Sequence, residues 1–134
     1  MHDIGTPQIL HVLVTAFAGF AIGGLWYGPL FSKAWMKASG VKPGNMTTAQ
    51  SVRLFASAYL LNVIIAFGLA FLMGHDRSLH GGLHVGFFVS LMFMATAIGV
   101  TYLFEKRPLQ LFLINAGYQV VNATVMGAIL GAWP

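Results

Sequence analysis

Asn115, Gln119 and Asn122 follow an i, i+4, i+7 spacing, so a helix carrying them shows all three on one face, with Tyr118 beside it. Amides donate and accept hydrogen bonds at once. Such a stripe can bond to a facing helix, where each contact contributes about 0.6–2 kcal/mol, or line a polar pathway or a headgroup-binding cleft. Asn62, with Tyr59 near it, is the partner expected to meet the stripe from another segment. Histidines make a second group. His80 and His84 are four apart and share a helical face, and His11 is the third candidate. Together they have the ligand chemistry for zinc or another divalent ion. Histidines that are simply wet at a membrane boundary fit the same pattern. No nucleophile elbow, serine–histidine dyad, phosphate loop or dinucleotide fingerprint occurs, so no catalytic residue is assigned and the expectation is a protein that is not an enzyme. No cofactor is expected beyond a divalent metal at the histidines.

These groups need elements to hold them, and the composition says which. Of 134 residues, 57% are hydrophobic and 7% charged, against about 25% charged in soluble domains. Mean hydropathy is +0.78. So little charge cannot keep a soluble surface in water, so the apolar excess needs lipid. Four apolar stretches, about 7–27, 48–73, 79–104 and 109–133, each exceed the roughly 20 residues that span hydrocarbon. Thr6 and Pro7 suit the start of the first, Thr47 and Gln50 have capping-box spacing at the second, and Pro108 marks the last. The short connections 74–78 and 105–108 each join antiparallel neighbours. The expected architecture is therefore an all-α membrane protein, one domain over 1–134, with four transmembrane helices as two helical hairpins. Between the first two spans, 29–39 places Leu30, Phe31, Ala34, Trp35 and Ala38 opposite Lys33 and Lys37. That pattern predicts a short interfacial helix ending at Gly40.

Six of the seven basic residues (Lys33, Lys37, Lys42, Arg53, Lys106 and Arg107) fall on one side of a four-span chain, and only Arg77 on the other. The positive-inside rule makes the first side cytoplasmic and puts both termini outside a bacterial inner membrane. Trp26, Tyr27, Trp35 and Tyr102 form an inner aromatic belt, and Trp133 lies at the outer boundary. Trp26, Tyr27, Lys33, Trp35 and Lys37 are the expected interface residues. The formal charge of +4 reflects this loop bias and not nucleic-acid binding. All three acids (Asp3, Asp76 and Glu105) lie at boundaries, which argues against antiport driven by an intramembrane carboxylate. There is no cysteine. Gly19/Gly23, Gly24/Gly28 and Gly127/Gly131, the last extended by Ala123, have the spacing of close helix packing. A gapless alignment of 11–33 with 84–106 pairs His11 with His84 and Lys33 with Lys106, a parallel repeat or a coincidence between two apolar helices.

The run Trp26-Tyr27-Gly28-Pro29-Leu30-Phe31, followed by Lys33-Ala34-Trp35-Met36, resembles the bacterial membrane-protein family called domain of unknown function 1761. Asn115-Ala116-Gly117-Tyr118-Gln119 fits the same resemblance, which extends over nearly the whole chain. It implies a small multispan protein and brings no substrate, cofactor or catalytic residue. The functional expectation is an oligomeric, homodimeric transport or ligand-binding protein that uses the polar face of the last span. An accessory or assembly subunit of a larger membrane complex and an outer-side metal-binding protein are the alternatives. Membrane lipids are partners in every case.

Overall fold

The computed structural model describes residues 9–41, 44, 47–74 and 77–133. Thr6, Pro7, Lys42, His2, His75, Asp3 and Asp76 lie outside them. The described chain is helical: α1 is Ile9–Leu25, α2 Ser32–Ser39, α3 Thr48–Met73, α4 Leu79–Val89, α5 Thr96–Glu105 and α6 Leu109–Ala132. A π-turn, Trp26–Leu30, continues α1, and a second, Ser90–Ala95, joins α4 to α5. Four helices are thus long and apolar enough to cross a membrane: Ile9–Leu30, Thr48–Met73, Leu79–Glu105 and Leu109–Ala132.

Local chemistry explains the boundaries. Pro29 has no N–H to donate to Leu25, so the helix widens, and Phe31 donates instead to the Trp26 carbonyl five residues back, at 2.9 Å. Pro29 therefore belongs to the end of the first span, and the next helix starts only at Ser32. Gly40 ends α2 at φ +76, a left-handed conformation that favours glycine. At the start of α3 the Gln50 N–H donates to Thr47 Oγ1 at 3.1 Å and the Thr47 N–H donates to Gln50 Oε1 at 2.9 Å, a complete capping box. Thr47→Ala removes one half of it and should lower stability by about 1 kcal/mol, read as a small fall in melting temperature in detergent.

The bundle is organised around α6, which packs against α1, α3 and α4. Val12 and Ala16 from α1, Ala66, Leu69 and Ala70 from α3, and Ala123, Met126 and Leu130 from α6 form one buried cluster. All eight lie toward the end of the bundle where α1 begins and α6 finishes. That half is closely packed. The tightest contact joins α4 to α6 through glycines on both helices. A Cβ on Gly82 would meet the Gly127 carbonyl, and one on Gly86 the Ala123 carbonyl. A Cβ on Gly127 would meet the Gly82 carbonyl, and one on Gly131 the Ser78 carbonyl. The two backbones touch with no side chain between them, which only residues this small permit.

The 11–33 and 84–106 segments do not pack alike. His11 is 9% exposed and faces Trp133, whereas His84 is exposed and lies 2.8 Å from the carbonyl of His80 on its own helix. The two π-turns also fall at different places in the alignment.

Candidate functional site

Toward the opposite end, where α1 finishes and α6 begins, the helices part. A cavity of about 810 Å³ opens between them, within the size range of small-molecule sites. Gly23, Gly24, Tyr27 and Gly28 line it from the first span, Phe55 and Asn62 from α3, Tyr102 from α5, and Asn115, Tyr118 and Gln119 from α6. Trp35 of α2 reaches the same space.

The polar stripe of α6 divides in two. Its first half faces the cavity. Tyr27 Oη donates to Asn115 Oδ1 at 2.6 Å, and Asn115 Nδ2 donates to Tyr102 Oη at 2.7 Å. One amide thereby ties the first, third and fourth spans together. Gln119 lines the cavity one turn farther along, and its Oε1 is buried with no hydrogen-bond partner. Tyr118 Oη donates to the Gly19 carbonyl at 3.1 Å, so its ring stays in the cavity wall. The second half is packing. Asn122 is fully buried, and its Nδ2 donates to Asn62 Oδ1 at 2.9 Å, as expected for an amide pair bridging two helices.

Trp26 and Tyr27, expected to anchor in headgroups, turn into the bundle. Trp26 Nε1 donates to the Ile114 carbonyl at 2.9 Å, and the Tyr27 ring stands 5.4 Å from that of Tyr118. The π-turn is the reason, because it rotates this stretch toward α6 just before the span ends. Trp35 sets its ring edge to face with Tyr27 at 5.8 Å. Lys33 and Lys37 remain exposed beside it.

The histidines do not converge. His11 stacks on Trp133 with ring centroids 4.1 Å apart, while His80 and His84 form a separate exposed pair 4.5 Å apart. Among the described residues no three His, Cys, Asp or Glu side chains come close enough to hold a metal. The expected His11, His80 and His84 set is therefore not assembled, since His11 points into the bundle and the other two point out of it.

The spacing of small residues did not reveal Gly24 and Gly28 as cavity wall. They carry the pattern of a packing seam, yet no atom lies within 4 Å of a Cβ built at either position. Tyr102 has the residue type of an aromatic belt, and nothing in the sequence signals its bond to Asn115.

The lining carries no Lys, Arg, Asp, Glu or His. It offers aromatic faces, hydroxyls and amides. Such a surface stacks and hydrogen-bonds a ligand but provides neither a nucleophile paired with a base nor a charged counter-ion. Arg107 lies nearby over the Tyr102 ring, 5.8 Å from its centroid. A family model described as a protein of unknown function (DUF1761) matches residues 10–131. No curated protein and no solved structure matches the chain.

Proposed function

This chain belongs to the family of unknown function DUF1761, and we propose from its own geometry that it is a multi-pass membrane protein that binds a small amphipathic organic molecule and moves it across the bilayer. The observation that carries this reading is the cavity, with six aromatic rings and three amides on its walls and no ionic side chain. Its ligand has a flat or apolar body that stacks on Tyr27, Trp35 and Tyr102, and a neutral polar end that bonds to Gln119.

In this reading α1 with α3, and α4–α5 with α6, are the two hairpins. The amphipathic α2 lies in the membrane interface, with Lys33 and Lys37 toward the headgroups. The basic connections stay in the cytoplasm of a bacterium, both termini face out across the inner membrane, and the cavity belongs to the cytoplasmic half. The protein works as a homodimer, in which the least buried span, Leu79–Glu105, faces the second copy.

Native mass spectrometry of protein extracted with its own lipid tests this. A dimer carrying a small organic adduct is expected, and Gln119→Leu should reduce adduct occupancy about tenfold, the effect of one lost hydrogen bond of about 1.4 kcal/mol. Bare protein, or a complex with an unrelated subunit, would refute the reading and favour an accessory role.

A further inference from the structure

We infer that a groove between α1 and α3, separate from the cavity, holds an acyl chain of an anionic phospholipid whose headgroup sits at Thr48 and Ser51. The inference rests on the membrane placement proposed above and not on the cavity's ligand.

Thr48, Ser51, Val52, Phe55, Ala56 and Tyr59 recur at intervals of three and four residues, so they form one face of α3. That face, with Phe17 and Phe20 of α1, borders an open groove of about 610 Å³. At its far end Tyr59 Oη donates to the Leu13 carbonyl at 2.7 Å and ties α3 to α1. The Phe20 ring stands edge to face with Phe55 and Tyr59, with centroids 6.0 and 6.3 Å away. Phe20 and Phe55 line the cavity as well, so the two spaces share a wall.

The dimensions select the occupant. From Thr48 to Tyr59 the face rises about 16 Å, close to half of the roughly 30 Å of bilayer hydrocarbon. The groove is therefore one leaflet deep. Dividing its volume by that length gives a mean cross-section of about 40 Å². A helix, about 10–12 Å across with its side chains, is too wide for such a slot, whereas an extended hydrocarbon chain fits. None of the groove residues belongs to Leu79–Glu105, so the proposed dimer face does not use its walls.

The polar end selects the headgroup. The Thr48 and Ser51 hydroxyls stand at the mouth, where a phosphate oxygen can accept from them. Among the described residues this end of the bundle carries Lys33, Lys37, Arg53, Lys106 and Arg107. The single acid there, Glu105, lies 3.9 Å from Arg107. That excess of positive charge favours an anionic lipid over a zwitterionic one. Moving a chain from bilayer to groove brings no hydrophobic gain, because lipid tails are as apolar as the groove wall. Retention therefore rests on contact with the aromatic rings, and selectivity on the charged end.

The test reconstitutes the full chain in vesicles of equal parts phosphatidylglycerol and phosphatidylcholine with the same acyl chains. Native mass spectrometry after mild detergent extraction then reads the retained lipid. Wild type should keep a phospholipid adduct, with phosphatidylglycerol enriched severalfold over phosphatidylcholine. Ala56 is exposed on the groove wall, so Ala56→Trp fills the groove without entering the core and should lower the adduct about tenfold. Lys33→Gln, Lys37→Gln and Arg53→Gln together should keep the adduct but bring the two lipids toward equal retention. Circular dichroism checks that each variant is folded. No retained phospholipid in wild type, or a folded Ala56→Trp with unchanged retention, would overturn the inference. So would wild-type retention of the two lipids in equal amounts, the mark of a bulk lipid shell only, or a dimer that Ala56→Trp splits, the mark of a second copy in the groove. Ala56 does not line the cavity and Gln119 does not line the groove. Gln119→Leu should therefore leave the phospholipid in place, and absence of the small-molecule adduct with the phospholipid intact would leave this inference standing.

Discussion

Gly127→Leu should prevent the bundle from forming. A Cβ alone at this position meets the Gly82 carbonyl, which is backbone and cannot rotate away. The two helices would have to separate along the whole seam, because Gly82, Gly86, Gly127 and Gly131 interlock. Ordinary overpacking costs about 1–3 kcal/mol, and parting the seam also loses its van der Waals contact. Set against a total stability of about 5–15 kcal/mol, that is enough to leave little folded protein. Gly127→Ala should already be measurably unstable. Gly24→Ala, where a Cβ meets nothing within 4 Å, is the control and should melt close to wild type. Thermal unfolding with size-exclusion chromatography in detergent reads all three. A Gly127→Leu protein that elutes as a single peak and melts within about two degrees of wild type would contradict the close approach of α4 and α6, since even 1 kcal/mol shifts melting by more than that.

Asn115→Leu should have the second-largest effect, on binding more than on stability. Leucine keeps the branched shape but deprives Tyr27 of its acceptor and Tyr102 of its donor. Two interhelical bonds in a membrane together account for about 1–3 kcal/mol. The protein should stay folded with a lower melting temperature, because the core lies in the other half. The two tyrosines would then be free to leave the cavity wall, and adduct occupancy should fall by about a hundredfold, the equivalent of about 2.8 kcal/mol. Tyr27→Phe breaks one of the two bonds and should fall between wild type and Asn115→Leu. Full occupancy in folded Asn115→Leu would show that this cluster does not shape the site.

The four spans were legible because an apolar run of more than 20 residues is a property of composition and needs no partner to be recognised. The capping box at Thr47 and Gln50 and the helix end at Gly40 are equally local. What could not be read is which face meets which. Gly82 and Gly86 look like filler in a Gly-rich apolar helix until α6 is laid against them. Gly24 and Gly28, with the same spacing, face open space. The amide stripe on α6 was visible, but its division was not: Asn122 is consumed by Asn62, while Asn115 and Gln119 face the cavity. Trp26 and Tyr27 suit a headgroup boundary by type, and only the widening at Pro29 turns them inward.

The central position of α6 bears on how the protein is made. It is the last of the four spans to leave the ribosome, and the other three depend on it for their packing. Until it joins the others, α4 has no glycine seam to lie in, Trp26, Tyr27 and Tyr102 lack their α6 partners, and the core cluster lacks three of its eight residues. On the proposed membrane reading, the earlier spans wait in lipid as loosely associated helices, stable individually because each satisfies its own backbone. Assembly then happens in one late step. A nascent chain arrested before Leu109 would be inserted yet unassembled, a form that membrane quality control could distinguish from the finished protein by the bare glycine face of α4.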